Sequence, residues 1–277
     1  MQVKICLAQL EPVIGSIENN VRKMSKVVES YSADLYVFPE MFLVGYMVKD
    51  LVYKIALPLS SKYIDEVKQM AKSKGVGVIV GFPELSPMGY IYNSMLAIDE
   101  NGKVFVYRKR HLPTFSVFDE HRWFKQFKGK LKPWKFKDIL FGLAICYDTF
   151  FPEIFKAYAL MGAKVQVIIS AAPDTSVPLF HRVIMSRAIE TTTYIIWVNT
   201  VGIMNGLTFG GGSMVVSPLG RAIEKLKDYE EDVKVVEVDM DTVYRCRIAR
   251  PVIRDSMRED AEELLRAYNE MEQHLNP

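Results

Sequence analysis

The pattern that most constrains this chain is a series of short apolar runs, at 2–10, 35–38, 76–82, 90–98, 139–145, 165–169 and 194–199. Each has the length of a strand and is rich in Val, Ile, Leu or aromatic residues. Runs this short and this apolar are buried most readily in sheets covered on both faces. The segments between them supply the covers. Residues 17–31 place Ile17, Val21, Met24, Val27, Val28 and Tyr31 at helical spacing after Ser16, which predicts an N-capped amphipathic helix. Further helices are predicted over 60–73, closed by Lys74-Gly75, over 152–162, over 178–192 and over 255–274.

Turn signals complicate a purely alternating order. Asp99-Glu100-Asn101-Gly102 marks a hairpin into a strand over 103–108, and Asp138 splits 135–146 into two short strands. Strands are also expected over 212–216 and 233–238. Alternation with helices makes the chain α/β, while the hairpins call for mixed sheets with helices on their outer faces. No repeat and no Pro/Gly/Ser-rich linker interrupts the sequence, so one domain over 1–277 is expected. Residues 111–137 lack periodicity and read as a long functional loop region.

Composition narrows the function classes. A net charge of +2 excludes a strongly basic nucleic-acid binder on global charge. No run approaches the roughly 18 apolar residues of a membrane helix, and the N-terminus lacks the pattern of a secretory signal. Three cysteines make no disulfide framework and suit a reducing compartment. A cytoplasmic location is expected.

Three polar residues stand where apolar strands end: Glu40 after 35–38, Lys109 after 103–108, and Cys146 after 139–145. Sites of α/β sheets gather at strand carboxyl ends. A carboxylate, an ammonium and a thiol together suit covalent acyl transfer. The carboxylate takes the thiol proton, and the lysine stabilises thiolate and oxyanion. A backbone N–H after Cys146, that of Tyr147, adds a second oxyanion donor. Taken singly, each has a plainer reading: a buried small hydrophobe, a turn acid, one charge in a basic run.

Phe38-Pro39-Glu40, Tyr107-Arg108-Lys109-Arg110-His111-Leu112-Pro113 and Ile145-Cys146-Tyr147-Asp148-Thr149-Phe150-Phe151-Pro152-Glu153 resemble, in order, the three signature segments of the nitrilase superfamily of carbon–nitrogen hydrolases. Arg187-Ala188-Ile189-Glu190, Val198-Asn199-Thr200-Val201-Gly202 and 211–220 are also similar to its pattern, so the resemblance covers about residues 2–250. It implies a four-layer αββα sandwich with mixed sheets. It implies Glu40 as general base, Lys109 as oxyanion stabiliser and Cys146 as nucleophile. It also implies that Glu120, within Val117-Phe118-Asp119-Glu120, is a second glutamate holding the lysine and substrate. The segment 40–51, with Phe118 and 209–214, looks like the glutaminase portion of glutamine-dependent NAD synthetases. At 277 residues there is no room for a synthetase domain, so a stand-alone amidase of related pocket type is expected. Tyr46, Phe118, Phe150 and Ala172 are candidate pocket residues. Phe150 stands where many members carry an arginine, which disfavours N-carbamoyl amino acids. Ala172, in Ser170-Ala171-Ala172-Pro173, lacks a hydroxyl that glutaminase members have, which disfavours glutamine.

The expected substrate is a small amide, cleaved through a cysteine thioester with release of ammonia or an amine. A nitrile, reacting through a thioimidate, and an N-carbamoyl compound are the alternatives. No cofactor is implied, and four scattered histidines suggest no zinc site. His111 reads as structural, Cys6 and Cys246 as packing residues, and Gly210-Gly211-Gly212 as backbone in close approach. Residues 121–137 carry seven Lys/Arg and five aromatics, which leaves a single-stranded nucleic-acid surface as a remote alternative. The stripe of Met257, Ala261, Leu264, Leu265, Tyr268 and Met271 has packing on its own domain as its plain reading. The resemblance implies a homodimer or larger assembly, with C-terminal segments crossing between subunits.

Overall fold

A computed structural model describes residues 1–275. The expected unit over 1–277 includes two residues, 276 and 277, outside that description. The first half runs β1 (Gln2–Gln9), α1 (Ile17–Ser30), β2 (Leu35–Val37), α2 (Val52–Ile55), α3 (Lys62–Lys74), β3 (Gly77–Leu85), β4 (Ile91–Ile98) and β5 (Val104–Arg108). After a one-turn helix α4 (Glu120–Trp123) come β6 (Trp134–Phe136), β7 (Ile139–Ile145), α5 (Pro152–Leu160), β8 (Val165–Ser170), α6 (Val177–Thr191) and β9 (Tyr194–Asn199). The chain continues through β10 (Val201–Met204), β11 (Leu207–Gly210), β12 (Met214–Val216), β13 (Ala222–Lys225), β14 (Asp232–Asp239), α7 (Met240–Ala249) and α8 (Arg258–Leu275).

Two six-stranded sheets result, ordered β14-β1-β2-β3-β4-β5 and β13-β12-β9-β8-β7-β6. Each has three parallel strands at its centre, β1-β2-β3 in one and β7-β8-β9 in the other, with antiparallel strands outside them. The mixed sheets and outer helices match the four-layer expectation. In the first sheet the period of two sorts side chains cleanly. Val3, Ile5, Leu7, Val37, Ile79 and Met95 meet Phe141, Leu143 and Ile145 of the second sheet in one buried cluster. The alternate residues Cys6, Ala8, Tyr36, Val78, Val80 and Leu96 pack under α1 and α3, against Val21, Met24, Ile64 and Val67. Helices α5 and α6 contribute Phe155, Tyr158, Phe180 and Ile184 to the second sheet's core.

Several boundaries move for physical reasons. Ser16 holds the N-cap position of α1, but its hydroxyl accepts from the Asn19 side chain at 2.9 Å and caps no backbone N–H. Helix α3 starts two residues later than expected because Ser61 caps it, accepting from Ile64 N at 3.3 Å, and Gly75 ends it in the left-handed conformation. The strand expected over 212–216 begins at Met214, since Gly211 and Gly212 both have positive φ. The C-terminal helix begins at Arg258, three residues later than expected, after a turn over 252–255. The β10–β11 hairpin, β13 and α7 were not anticipated. The hairpin's signal was present in Asn205-Gly206, a strong hairpin pair, and α7 opens on Asp239, whose side chain accepts from Asp241 N. No helix among the described residues is long and apolar enough to cross a membrane.

Candidate active site

Glu40 and Lys109 leave the first sheet on the same edge. β5 is antiparallel to β4, which is antiparallel to β3, so β5 runs parallel to β2. Cys146 leaves the end of β7 in the facing sheet and opens a five-residue turn, Cys146–Phe150. Its φ of 45° is left-handed, unusual for a residue with a side chain, and makes the strand-to-turn corner sharp. Glu40 reaches the site because β3 has no side chain at Gly81. A Cβ there would stand 2.6 Å from Glu40 Cα and 2.3 Å from Met41 N.

The three residues do meet, with Glu120. Lys109 Nζ donates to Glu40 Oε1 at 2.8 Å and to Glu120 Oε1 at 2.7 Å, and all three side chains are buried. Glu40 Oε1 also accepts from Asn93 Nδ2 at 2.7 Å, while Glu40 Oε2 accepts from Ala171 N at 2.7 Å. Glu120 Oε1 accepts from the Tyr46 hydroxyl at 2.6 Å; Glu120 Oε2 and Asn93 Oδ1 are buried and have no partner among the described residues.

Electrostatics follow from one cation buried between two acids. Burial opposes the Lys109 ammonium, but Glu120 and Glu40 outweigh it and hold its pKa above the usual lysine range. Burial pushes Glu120 up to about 7, with Lys109 opposing and Glu40 reinforcing the rise. Burial, then the Glu40 charge, raises the Cys146 thiol, while Lys109 and the Ala171 N–H favour the thiolate. Burial and the Glu40 charge thus favour the protonated thiol, so a nucleophilic role would call for a neighbouring base.

A second buried acid ties the corner down. Asp148 accepts from Ile145 N at 3.2 Å, the Tyr107 hydroxyl at 2.8 Å, Arg110 N at 3.3 Å and both the N–H and Nδ1 of His111 at 2.9 Å. It thus binds the cysteine turn of one sheet to both flanks of Lys109 in the other. His111 also stacks on Phe151, centroids 3.4 Å apart, as a structural residue would. Asn93 acts similarly: its carbonyl holds Lys109 N at 2.9 Å while its side chain holds Glu40. Sequence reasoning singled out neither Asp148 nor Asn93. A polar residue inside an otherwise apolar strand was the available signal for Asn93.

The other side of Cys146 is apolar. A cavity of about 180 Å³ opens beside it, lined by Phe115, Phe118, Tyr147, Phe150, Ala172 and Phe180, with Pro113, Pro173, Ser176 and Leu179. Of the expected pocket residues, Phe118, Phe150 and Ala172 line it. Tyr46 does not; it holds Glu120 and sets its ring edge against Phe118 and Phe209. Within 121–137, Phe124, Trp134 and Phe136 are buried in the core, so three of the five rings present no stacking face. Among the described residues no cluster of three or more His, Cys, Asp or Glu could hold a metal ion.

The model of the carbon-nitrogen hydrolase family matches residues 4–248. The chain is 34% identical over 259 residues to a glutamine-dependent NAD(+) synthetase of Thermotoga maritima, covering 90% of this chain and 44% of that protein. It thus spans less than half the length of that relative. It is 32% identical to an (R)-stereoselective amidase of a Pseudomonas species, over 88% of each. The crystal structure of a carbon-nitrogen hydrolase from Helicobacter pylori G27 superposes with a TM-score of 0.87 at 22% identity, covering 96% of this chain and 99% of that one. The chain belongs to the carbon-nitrogen hydrolase family.

Proposed function

We propose that this protein hydrolyses the carbon–nitrogen bond of a small amide through an acyl thioester on Cys146. The observation that carries the reading is the buried Lys109 ammonium bonded to both Glu40 and Glu120 beside the thiol. The amidase at 32% identity over most of both chains supports the amide as substrate.

The hydrogen bonds support a role for each atom in this reading. Glu40 Oε1 already accepts two donors, whereas Oε2 accepts one and keeps a lone pair free. The N–H that Oε2 accepts, Ala171, also faces the Cys146 sulfur. Oε2 therefore takes the thiol proton as Sγ attacks the carbonyl carbon. The oxyanion forms against the Lys109 ammonium and the Tyr147 N–H. Glu120 Oε2, without a partner among the described residues, accepts from the amide nitrogen and holds it toward Glu40. Protonated Glu40 gives its proton to that nitrogen, the C–N bond breaks, and ammonia or an amine leaves. Water then loses a proton to Glu40 and attacks the thioester. The C–S bond breaks, and the proton returns to sulfur.

The test is ammonia release from a panel of amides, ω-amides, N-carbamoyl compounds and nitriles, with Cys146→Ala alongside. Release lost in that variant, with an acyl adduct on Cys146 in mass spectra of quenched wild type, is the expected result. Release that persists in Cys146→Ala overturns the mechanism.

A further inference from the structure

We infer that the cavity beside Cys146 is an acyl pocket for uncharged apolar groups. The substrate is then an aliphatic or aromatic amide, not an amino-acid amide or an N-carbamoyl acid. This rests on the amidase reading. In that reading the amide nitrogen and oxygen must lie among Glu40, Lys109 and Glu120, where the protons move. The acyl chain, the remaining substituent of the carbonyl carbon, must then leave on the opposite side. That side is the 180 Å³ cavity, whose lining holds no charged side chain.

The electrostatics reach the same conclusion. A substrate carboxylate entering this pocket would need a cation. Lys109 is the buried cation at hand, and both acids already occupy it. Arg187 is buried too, but it does not line the cavity, and its Nε and Nη1 already donate to Thr149 O and Glu190. A carboxylate would be buried without a partner, which proteins avoid. The walls are rigid: Phe150 packs edge-on against Phe180, centroids 5.1 Å apart, and Phe180 stacks on Trp197 at 5.3 Å. A dry apolar cavity of about 150 Å³ holds benzene, so this one fits a phenyl ring or a short branched alkyl group. Phe150 and Phe180 set the limit.

The test is kcat/KM for wild type with acetamide, propionamide, isobutyramide, benzamide, decanamide, glutamine and N-carbamoylalanine. Each methylene that the pocket buries should raise it about fourfold. Decanamide should fall at least about tenfold below the best substrate. Glutamine and N-carbamoylalanine should lie on the order of 100-fold below it. Phe150→Leu and Phe180→Leu should each move the optimum to larger amides; Phe150 is partly exposed, so that variant serves if the core change at Phe180 impairs folding. In parallel, calorimetry with Cys146→Ala measures binding without turnover. Isobutyramide and benzamide should bind and glutamine should not. Glutamine turned over as well as isobutyramide, or a flat series, overturns the pocket assignment while the hydrolase stands. Apolar amides bound by Cys146→Ala but not turned over by wild type would overturn the hydrolase reading and uphold the pocket. Neither binding nor turnover overturns both.

Discussion

The two sides of Cys146 are built from opposite materials. On one side lie five ionisable or hydrogen-bonding groups, Glu40, Tyr46, Asn93, Lys109 and Glu120, joined by contacts of 2.6–2.8 Å. On the other, aromatic rings line a cavity with no charged group. Hydrogen bonds are directional and an unmet buried one is expensive, so the polar side has one workable arrangement. Apolar contacts are non-directional and tolerate exchange at similar volume. A hydrolase divided this way can keep its reaction while its acyl preference drifts.

The division is broken most severely from the polar side. Glu40→Gln should lower kcat by about 10³-fold or more with the fold intact, because an amide neither takes nor returns the thiol proton. Circular dichroism and initial rates decide it, and near-normal turnover would remove Glu40 as the base. Gly81→Ala should act next most strongly. Its methyl must push the Glu40 and Met41 backbone away, lowering kcat by about 100-fold and stability by about 1–3 kcal/mol. Asp148→Asn faces an amide toward donors and should lower kcat about tenfold with KM nearly unchanged. Equal losses in kcat and in substrate binding would argue against positioning.

A smaller effect sharpens the comparison through pH. Folding raises the Glu120 pKa from near 4.5 to about 7, so between those values the folded protein holds a proton that the unfolded chain releases. The stability from this group is full below pH 4.5 and is lost as pH rises through 7. Melting temperatures across that window should decline in wild type relative to Glu120→Gln, by on the order of 2 kcal/mol in stability. Parallel curves would contradict the raised pKa. The smallest effect on chemistry should come from the far surface. Leu264, Leu265, Tyr268 and Met271 of α8 are each 43–60% exposed; Tyr268 donates to Glu153 of α5 at 3.2 Å, so the stripe touches its own domain but leaves much of its apolar surface uncovered. We propose that it covers a second copy. Sedimentation at micromolar concentration should give a dimer, and Leu265→Lys with Tyr268→Lys a monomer active within about twofold. A wild-type monomer would refute this.

The same contrast explains what could be read from residues alone. Glu40, Lys109 and Cys146 were legible because each ends an apolar strand, an abrupt chemical change along the chain. Glu120 emerged only through resemblance, since a lone acid in a basic loop carries no mark of burial. Asp148 stood in full view beside Cys146, but its partners in the other half of the chain, Tyr107, Arg110 and His111, lie 37–41 residues away, and nothing local reports them. The long central strands were placed within a few residues. The four-residue strands β10, β11 and β13 fell below the length at which alternation is visible. The cavity was harder still, because its lining gathers from three separate segments, 113–118, 146–150 and 172–180.

The pairing of β1 has a consequence for how the molecule is made. The strand lies between β2, about 30 residues on, and β14, whose Asp232–Asp239 run pairs with the whole length of Gln2–Gln9. Of the strands described, the earliest to be synthesised is thus among the last to be completed. Until residue 239 has emerged, an apolar strand must wait with one edge open, a surface that invites pairing with other chains. Such distant closure slows folding. Cys146, set in the other sheet, meets Glu40 only when the two sheets close on each other. A half-made chain therefore carries the thiol apart from the base proposed for it.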